Sequence, residues 1–110
     1  MIYIFWTCRD EIEAKQIIYK LLDQRLIACA SLLPKIESIY RWQGKIEESQ
    51  EVKVIIKTLS QHFDAIQNYI QMHSTYEVPE ILQVDIAQGN PSYLQWITQE
   101  STPSNPSLEE

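Results

Sequence analysis

Residues 45–58, KIEESQEVKVIIKT, alternate along the second half of the run: Val52, Val54 and Ile56 against Glu51, Lys53 and Ile55. A period of two is the period of a β-strand. Residues 35–42, KIESIYRW, alternate in the same way, with Ile36, Ser38, Tyr40 and Trp42 on one face and Glu37, Ile39 and Arg41 on the other. Gln43-Gly44 separates the two runs, which therefore fold back as a hairpin. Extended as one strand, residues 45–58 reach about 46 Å at ~3.3 Å per residue. A compact domain of about 100 residues has a radius of gyration near 13 Å, hence a diameter of about 34 Å. The hairpin must bend or project, and Pro34 and the EESQE stretch are places for a bulge.

The remaining elements frame this hairpin. IYIFW at 2–6 is β-branched and aromatic, a buried strand. In the stretch that follows, Asp10 and Glu13 have the spacing of a capping box. Ala14, Ile17, Ile18, Leu21 and Leu22 then mark one face of a helix. LIACASLLP at 26–34 is a further strand, interrupted by Pro34. Ser60 is a candidate cap for a second helix carrying Phe63, Ile66, Tyr69 and Ile70. ILQVDIA at 81–87 is the fourth strand, and SYLQWIT at 92–98, with Pro91 at its start, is a short last helix. The order is β-α-β-β-α-β with one extra C-terminal helix: an α+β, ferredoxin-like antiparallel sheet in a single domain, residues 1–100. Residues 101–110, STPSNPSLEE, have the composition of a disordered acidic tail.

A net charge of -6 argues against nucleic-acid binding and against docking on an anionic membrane, since both need a basic face. MIYIFWT is too short for a signal peptide and lacks a basic flank. Cys8 and Cys29 form no CxxC pair and read as reduced thiols, which predicts a cytoplasmic protein. With Tyr40, Trp42 and Ile46 near its tip, the hairpin presents apolar faces and open edges. A symmetric oligomer that pairs those edges answers both, and Arg41 and Lys45 then meet nearby acids.

Four pieces in order, LIACASLLP, SIYRWQGKIEESQEV followed by IIKT, YEVPEI and QGNPSYLQW, resemble the CutA divalent-cation-tolerance family over residues 2–98. The resemblance implies a tight homotrimer with strands paired across subunit boundaries, a cytosolic location in bacteria, no enzymatic activity, and a link to copper and other divalent cations. It also implies a shape like that of the PII signalling proteins, so the alternative is a trimeric signalling or scaffold module binding a small ligand or partner at an intersubunit cleft. Tyr76 joins Tyr40, Trp42 and Ile46 as an expected interface residue.

The family's ligand candidates fall on His73, Glu77 and Glu80, with Cys29 as a further donor. Imidazole, carboxylate and thiolate suit Cu(II) or another divalent cation. One His and two Glu are too few for a closed site, so the resemblance implies weak binding or a site shared between subunits. Many family members read His-Pro-Tyr where this chain has Ser74 and Thr75, and some carry a cysteine in the first strand where this chain has Trp6. Each candidate also has an ordinary reading. His73 closes a helix, where a partly positive ring suits the dipole. Glu77 and Glu80 suit solvent or salt bridges, and Cys29 between two alanines suits a packed interior. His62, with no partner His one turn on, reads as a surface residue.

No GxSxG, P-loop or GxGxxG is present, and two glycines could not build the Gly-rich ones. Acylphosphatases share the strand order, but the loop TCRDE places two acids beside Arg9, which repels an anion. An RNA-reading sheet would need aromatics on both central strands, and EVKVIIK has none.

Overall fold

The computed structural model describes residues 1–103. Its strands are β1 (Ile2–Cys8), β2 (Cys29–Trp42), β3 (Lys45–Thr58) and β4 (Ile81–Asp85). Its helices are α1 (Glu11–Asp23), α2 (Phe63–His73) and α3 (Pro91–Glu100). The four strands form one antiparallel sheet in the order β2-β3-β1-β4, the order of the ferredoxin-like fold.

One face of the sheet meets α1 and α2. Ile2, Ile4, Trp6 and Cys8 of β1 alternate into it, opposite Thr58, Ile56, Val54 and Val52 of β3. Ala14, Ile17, Ile18 and Leu21 of α1 and Ile66 and Ile70 of α2 complete this core. The other face carries Tyr3 and Phe5 beside Lys53, Ile55 and Lys57, with Leu82 and Val84 along β4. Leu82 and Val84 are exposed there.

Asp10 caps α1 as its spacing predicts, accepting the Glu13 N–H at 2.8 Å. The reciprocal half of the box is not made by Glu13's side chain, which is buried and bound elsewhere. Ser60 does not cap α2. It opens a 3-10 turn, Ser60–His62, and the helix proper begins at Phe63 with no side-chain cap at His62. Asn90 caps α3 through the Ser92 N–H, with Pro91 at its first position.

Two expectations are corrected at the C-terminal side. His62 is buried, and its Nε2 donates to the Ser101 carbonyl at 2.5 Å. Ser101, assigned to the tail by composition, is itself fully buried and ends α3 through its N–H to Ile97 O at 3.0 Å. A contact between residues 39 apart in sequence leaves no local periodicity to read. Residues 104–110 of the expected tail lie outside the described residues.

Pro34 does not end its strand. β2 runs through it, and a register shift between Leu33 and Ile36 absorbs the residue that has no N–H to give. At the tip, Gln43 (φ 50°) and Gly44 (φ 80°) both take left-handed conformations, as a type I′ hairpin turn requires. The ladder is long enough that the molecule measures 55 × 30 × 20 Å, with a radius of gyration of 15.3 Å.

Candidate functional site

At the root of the projecting hairpin, the segment between α2 and β4 crosses the open side of the sheet. Between this segment and the hairpin lies a cleft of about 540 Å³, lined among others by Ile36, Ser38, Tyr40, Trp42, Glu51, Lys53, Tyr76 and Glu80. The alternation of β2 puts Ile36, Ser38, Tyr40 and Trp42 on this side together. On β3, Glu51 and Lys53 share it for the same reason.

The floor of the cleft is polar. Lys53 Nζ donates to Glu80 Oε1, and the Thr7 hydroxyl donates to the same oxygen at 3.0 Å. The Thr7 N–H to Glu80 O bond, 3.3 Å, extends the β1–β4 pairing by one step and holds Glu80 in place. Lys53 also lies over the Phe5 ring, 5.4 Å from its centroid. Glu51 is only 8% exposed, and the phenol of Tyr76 stands beside it. Burial first, then a hydrogen bond to Glu51 and its negative charge, hold the Tyr76 hydroxyl above its ordinary range, so it stays a neutral donor.

The four expected metal donors are not gathered in one place. Glu77 and Glu80 line the cleft. His73 lines a second hollow against α1, with Arg9, Glu13, Gln16 and Tyr69 among its neighbours. Its Nδ1 donates to the Tyr69 carbonyl at 2.9 Å and its ring stacks on Tyr69, centroids 4.1 Å apart. That leaves Nε2 as the nitrogen with a free lone pair when the ring is neutral. Cys29 sits opposite Lys57 on β3, four residues from Lys53 and so about 13 Å along the strand. Its Sγ accepts from Lys57 Nζ at 3.7 Å, and Lys57 also donates to Ser31. Among the described residues, no three His, Cys, Asp or Glu side chains stand close enough together to hold one metal ion. A complete metal site from this donor set does not fit inside a single chain.

Between the two hollows, Glu13 forms a buried knot that the sequence pattern assigns to a helix cap. Its carboxylate accepts from the Cys8 thiol at 3.3 Å, the Thr75 N–H at 3.3 Å and the Thr75 hydroxyl at 3.4 Å. It ties the start of α1 to the segment that roofs the cleft. Burial, then the hydrogen bond to Glu13, push the Cys8 thiol up to about 12, so this cysteine is held as a thiol. Glu51 and Glu13 were both missed as interior residues by sequence reasoning. The alternation of β3 puts Glu51 on the open side, and only the later crossing of residues 75–80 buries it.

A family model described as CutA1 divalent ion tolerance protein matches residues 2–100. The chain is 44% identical over 95 residues to "Protein CutA" of Mus musculus, covering 86% of this chain and 54% of that protein. It therefore spans about half the length of this mammalian relative. It is 36% identical over 96 residues to the "Divalent-cation tolerance protein CutA" of Citrobacter koseri, covering 87% of this chain and 84% of that one. Among solved structures, it superposes on the "Periplasmic divalent cation tolerance protein CutA" of Archaeoglobus fulgidus with a TM-score of 0.89 and 31% identity, covering 93% of this chain and all of that one. With a family match over residues 2–100 and a fold that superposes along nearly its whole described length on a solved CutA structure, this chain belongs to the CutA1 divalent ion tolerance protein family.

Proposed function

We propose that this chain serves divalent-cation tolerance as a non-enzymatic homotrimer in the cytoplasm, binding Cu(II) or a similar divalent cation at a site shared between subunits. The observation that carries the reading is the overreaching hairpin. Ile39 (66% exposed) and Ile46 (70%) stand at its tip with Tyr40 and Trp42, on a ladder that no helix among the described residues covers. Isolated two-stranded ribbons are marginal in water, and apolar ones associate. Three copies arranged in a closed ring pair the edges and cover the tips.

The shared metal site follows from the same separation of donors. His73 lines one hollow, while Glu77 and Glu80 belong to the other. A neighbouring subunit is the source of the missing donors. Two unpaired thiols support a reducing compartment. Native mass spectrometry with Cu(II) and Zn(II), beside His73→Ala, tests the reading. A trimer taking one metal per subunit, with uptake lost in the variant, is expected. A monomer, or equal uptake by both proteins, would overturn it.

A second reading is a PII-like module whose cleft binds a small ligand. The cleft itself favours it. A volume of about 540 Å³ lies within the range of small-molecule sites, and a few polar groups converge on its floor. A ligand-dependent rise in unfolding temperature without metal is its signature.

A further inference from the structure

We infer that the cleft at the root of the hairpin takes an organic cation, an ammonium or guanidinium group, with Glu51 as its carboxylate. The inference rests on the cleft reading above and gives its ligand a chemical class. Glu51 is 8% exposed, and among the described residues it forms no ion pair. A carboxylate taken out of water needs a countercharge or loses its own. Lys53, the one basic side chain lining the cleft among the described residues, is already committed to Glu80. The Tyr76 phenol offers a hydrogen bond and no charge. With Glu77 also present, the lining holds three carboxylates against one ammonium.

The walls suit the same ligand. Tyr40 and Trp42 line the cleft and are 41% and 42% exposed. Aromatic faces attract cations, ammonium and guanidinium groups above all. A bare divalent metal is served less well. It wants several hard oxygen donors converging on one point, and no such group of acids is present among the described residues.

The cation can come from two sources. One is a free small amine. The other is a Lys or Arg side chain of a second copy of this chain, whose hairpin tip carries exposed Arg41 and Lys45.

The test is calorimetric titration of the full chain with agmatine and with choline, using inorganic phosphate and glucose as controls, beside Glu51→Gln. Binding of agmatine or choline that weakens at least tenfold in Glu51→Gln, with the assembly mass unchanged, supports a free ligand. No binding by wild type, with Glu51→Gln breaking the assembly and Arg41→Gln or Lys45→Gln doing the same, supports a neighbour's side chain. Lys53→Gln releases Glu80 as a second unbalanced carboxylate and should tighten the cation severalfold, which keeps a readout if Glu51→Gln misfolds. Binding of phosphate or glucose in place of the cations would overturn the cation and leave the cleft reading standing. No binding by any probe, with assembly indifferent to Glu51→Gln, would overturn both.

Discussion

Strand β3 lives in two environments. From Val52 to Thr58 it pairs with β1, from Lys53 to Lys57 with β2 as well, and helices cover one face. From Lys45 to Glu51 it pairs with β2 alone. In the first half, Val52, Val54 and Ile56 are at most 2% exposed. In the second, Ile46 is 70% exposed. The tip half, KIEESQE, carries a single apolar residue, Ile46, so the alternation that marks the buried half ends where the pairing with β1 ends. Burial also depends on what other elements bring to the strand: β1 and the helices cover Val52, Val54 and Ile56, while among the described residues the 75–80 segment reaches Tyr40 and Trp42 and leaves Ile46 exposed.

The largest effect is expected at the base of the strand. Trp6 is fully buried among β1, β3 and the helices. Trp6→Ala should destabilise by about 3–5 kcal/mol, the usual loss for a large core aromatic. Chemical denaturation of the purified variant measures it. Trp6→Phe should lose much less, because it also removes an indole N–H that has no hydrogen-bond partner among the described residues. Near-equal losses would mean the base packs more loosely than its burial implies.

At the tip the expected effect is on assembly rather than on the subunit. Replacing Trp42 and Ile46 together by serine should leave the circular dichroism of the subunit nearly unchanged. The mass in sedimentation velocity should fall toward that of one chain. If the double variant instead unfolds while assembled wild type does not, tip and base form one cooperative unit, and the contrast drawn along β3 fails.

How much of this was legible beforehand follows the same division. The hairpin, its turn at Gln43-Gly44 and its excess length came from alternation within one stretch of chain, as did the α1 face and the Asp10 cap. Whatever depended on a distant segment was not legible. His62 is buried because Ser101 returns to it. Glu51 is buried because residues 75–80 cross above it. Glu13 looked like half of a capping box, yet its partner is Thr75, 62 positions away. Charged and polar types were misplaced for a physical reason: their burial is licensed by specific partners, which hydropathy does not encode. The expected metal donors were read from a family pattern, and in the fold they divide between two hollows and the far end of the sheet.

A smaller effect tests the base through Cys8. Its thiol ionises near 9.0 when unconstrained and is pushed up to about 12 in the folded chain, by burial first and by the Glu13 carboxylate second. The folded state therefore keeps a proton that the unfolded state gives up. The stability from this group is whole below pH 9 and is lost as pH rises from 9 toward 12. Urea melts at pH 8, 10 and 11 should show a steeper alkaline loss for wild type than for Cys8→Ala. Only the slopes are compared, since the variant also opens a small cavity. Parallel slopes would mean that the thiol is no harder to ionise in the fold than outside it.

The smallest effect probes the tip. Gly44 sits at φ +80°, and a Cβ added there would meet no atom within 4 Å. Gly44→Ala therefore carries a conformational penalty with no steric one, about 1 kcal/mol for a left-handed residue that gains a side chain. That is roughly a fivefold change in a local opening equilibrium. If the tip opens independently of the base, amide exchange should quicken about fivefold around the pairs Trp42↔Lys45 and Tyr40↔Glu47. Exchange at Ile4↔Ile56 should not change. In a trimer that clamps the tips, local opening would require dissociation, and the same penalty would appear at every slow amide together. Running the exchange above and below the dissociation concentration separates the two cases. The substitution thus tells whether the tip is an independent ribbon in the subunit and becomes part of the cooperative core only when three copies meet.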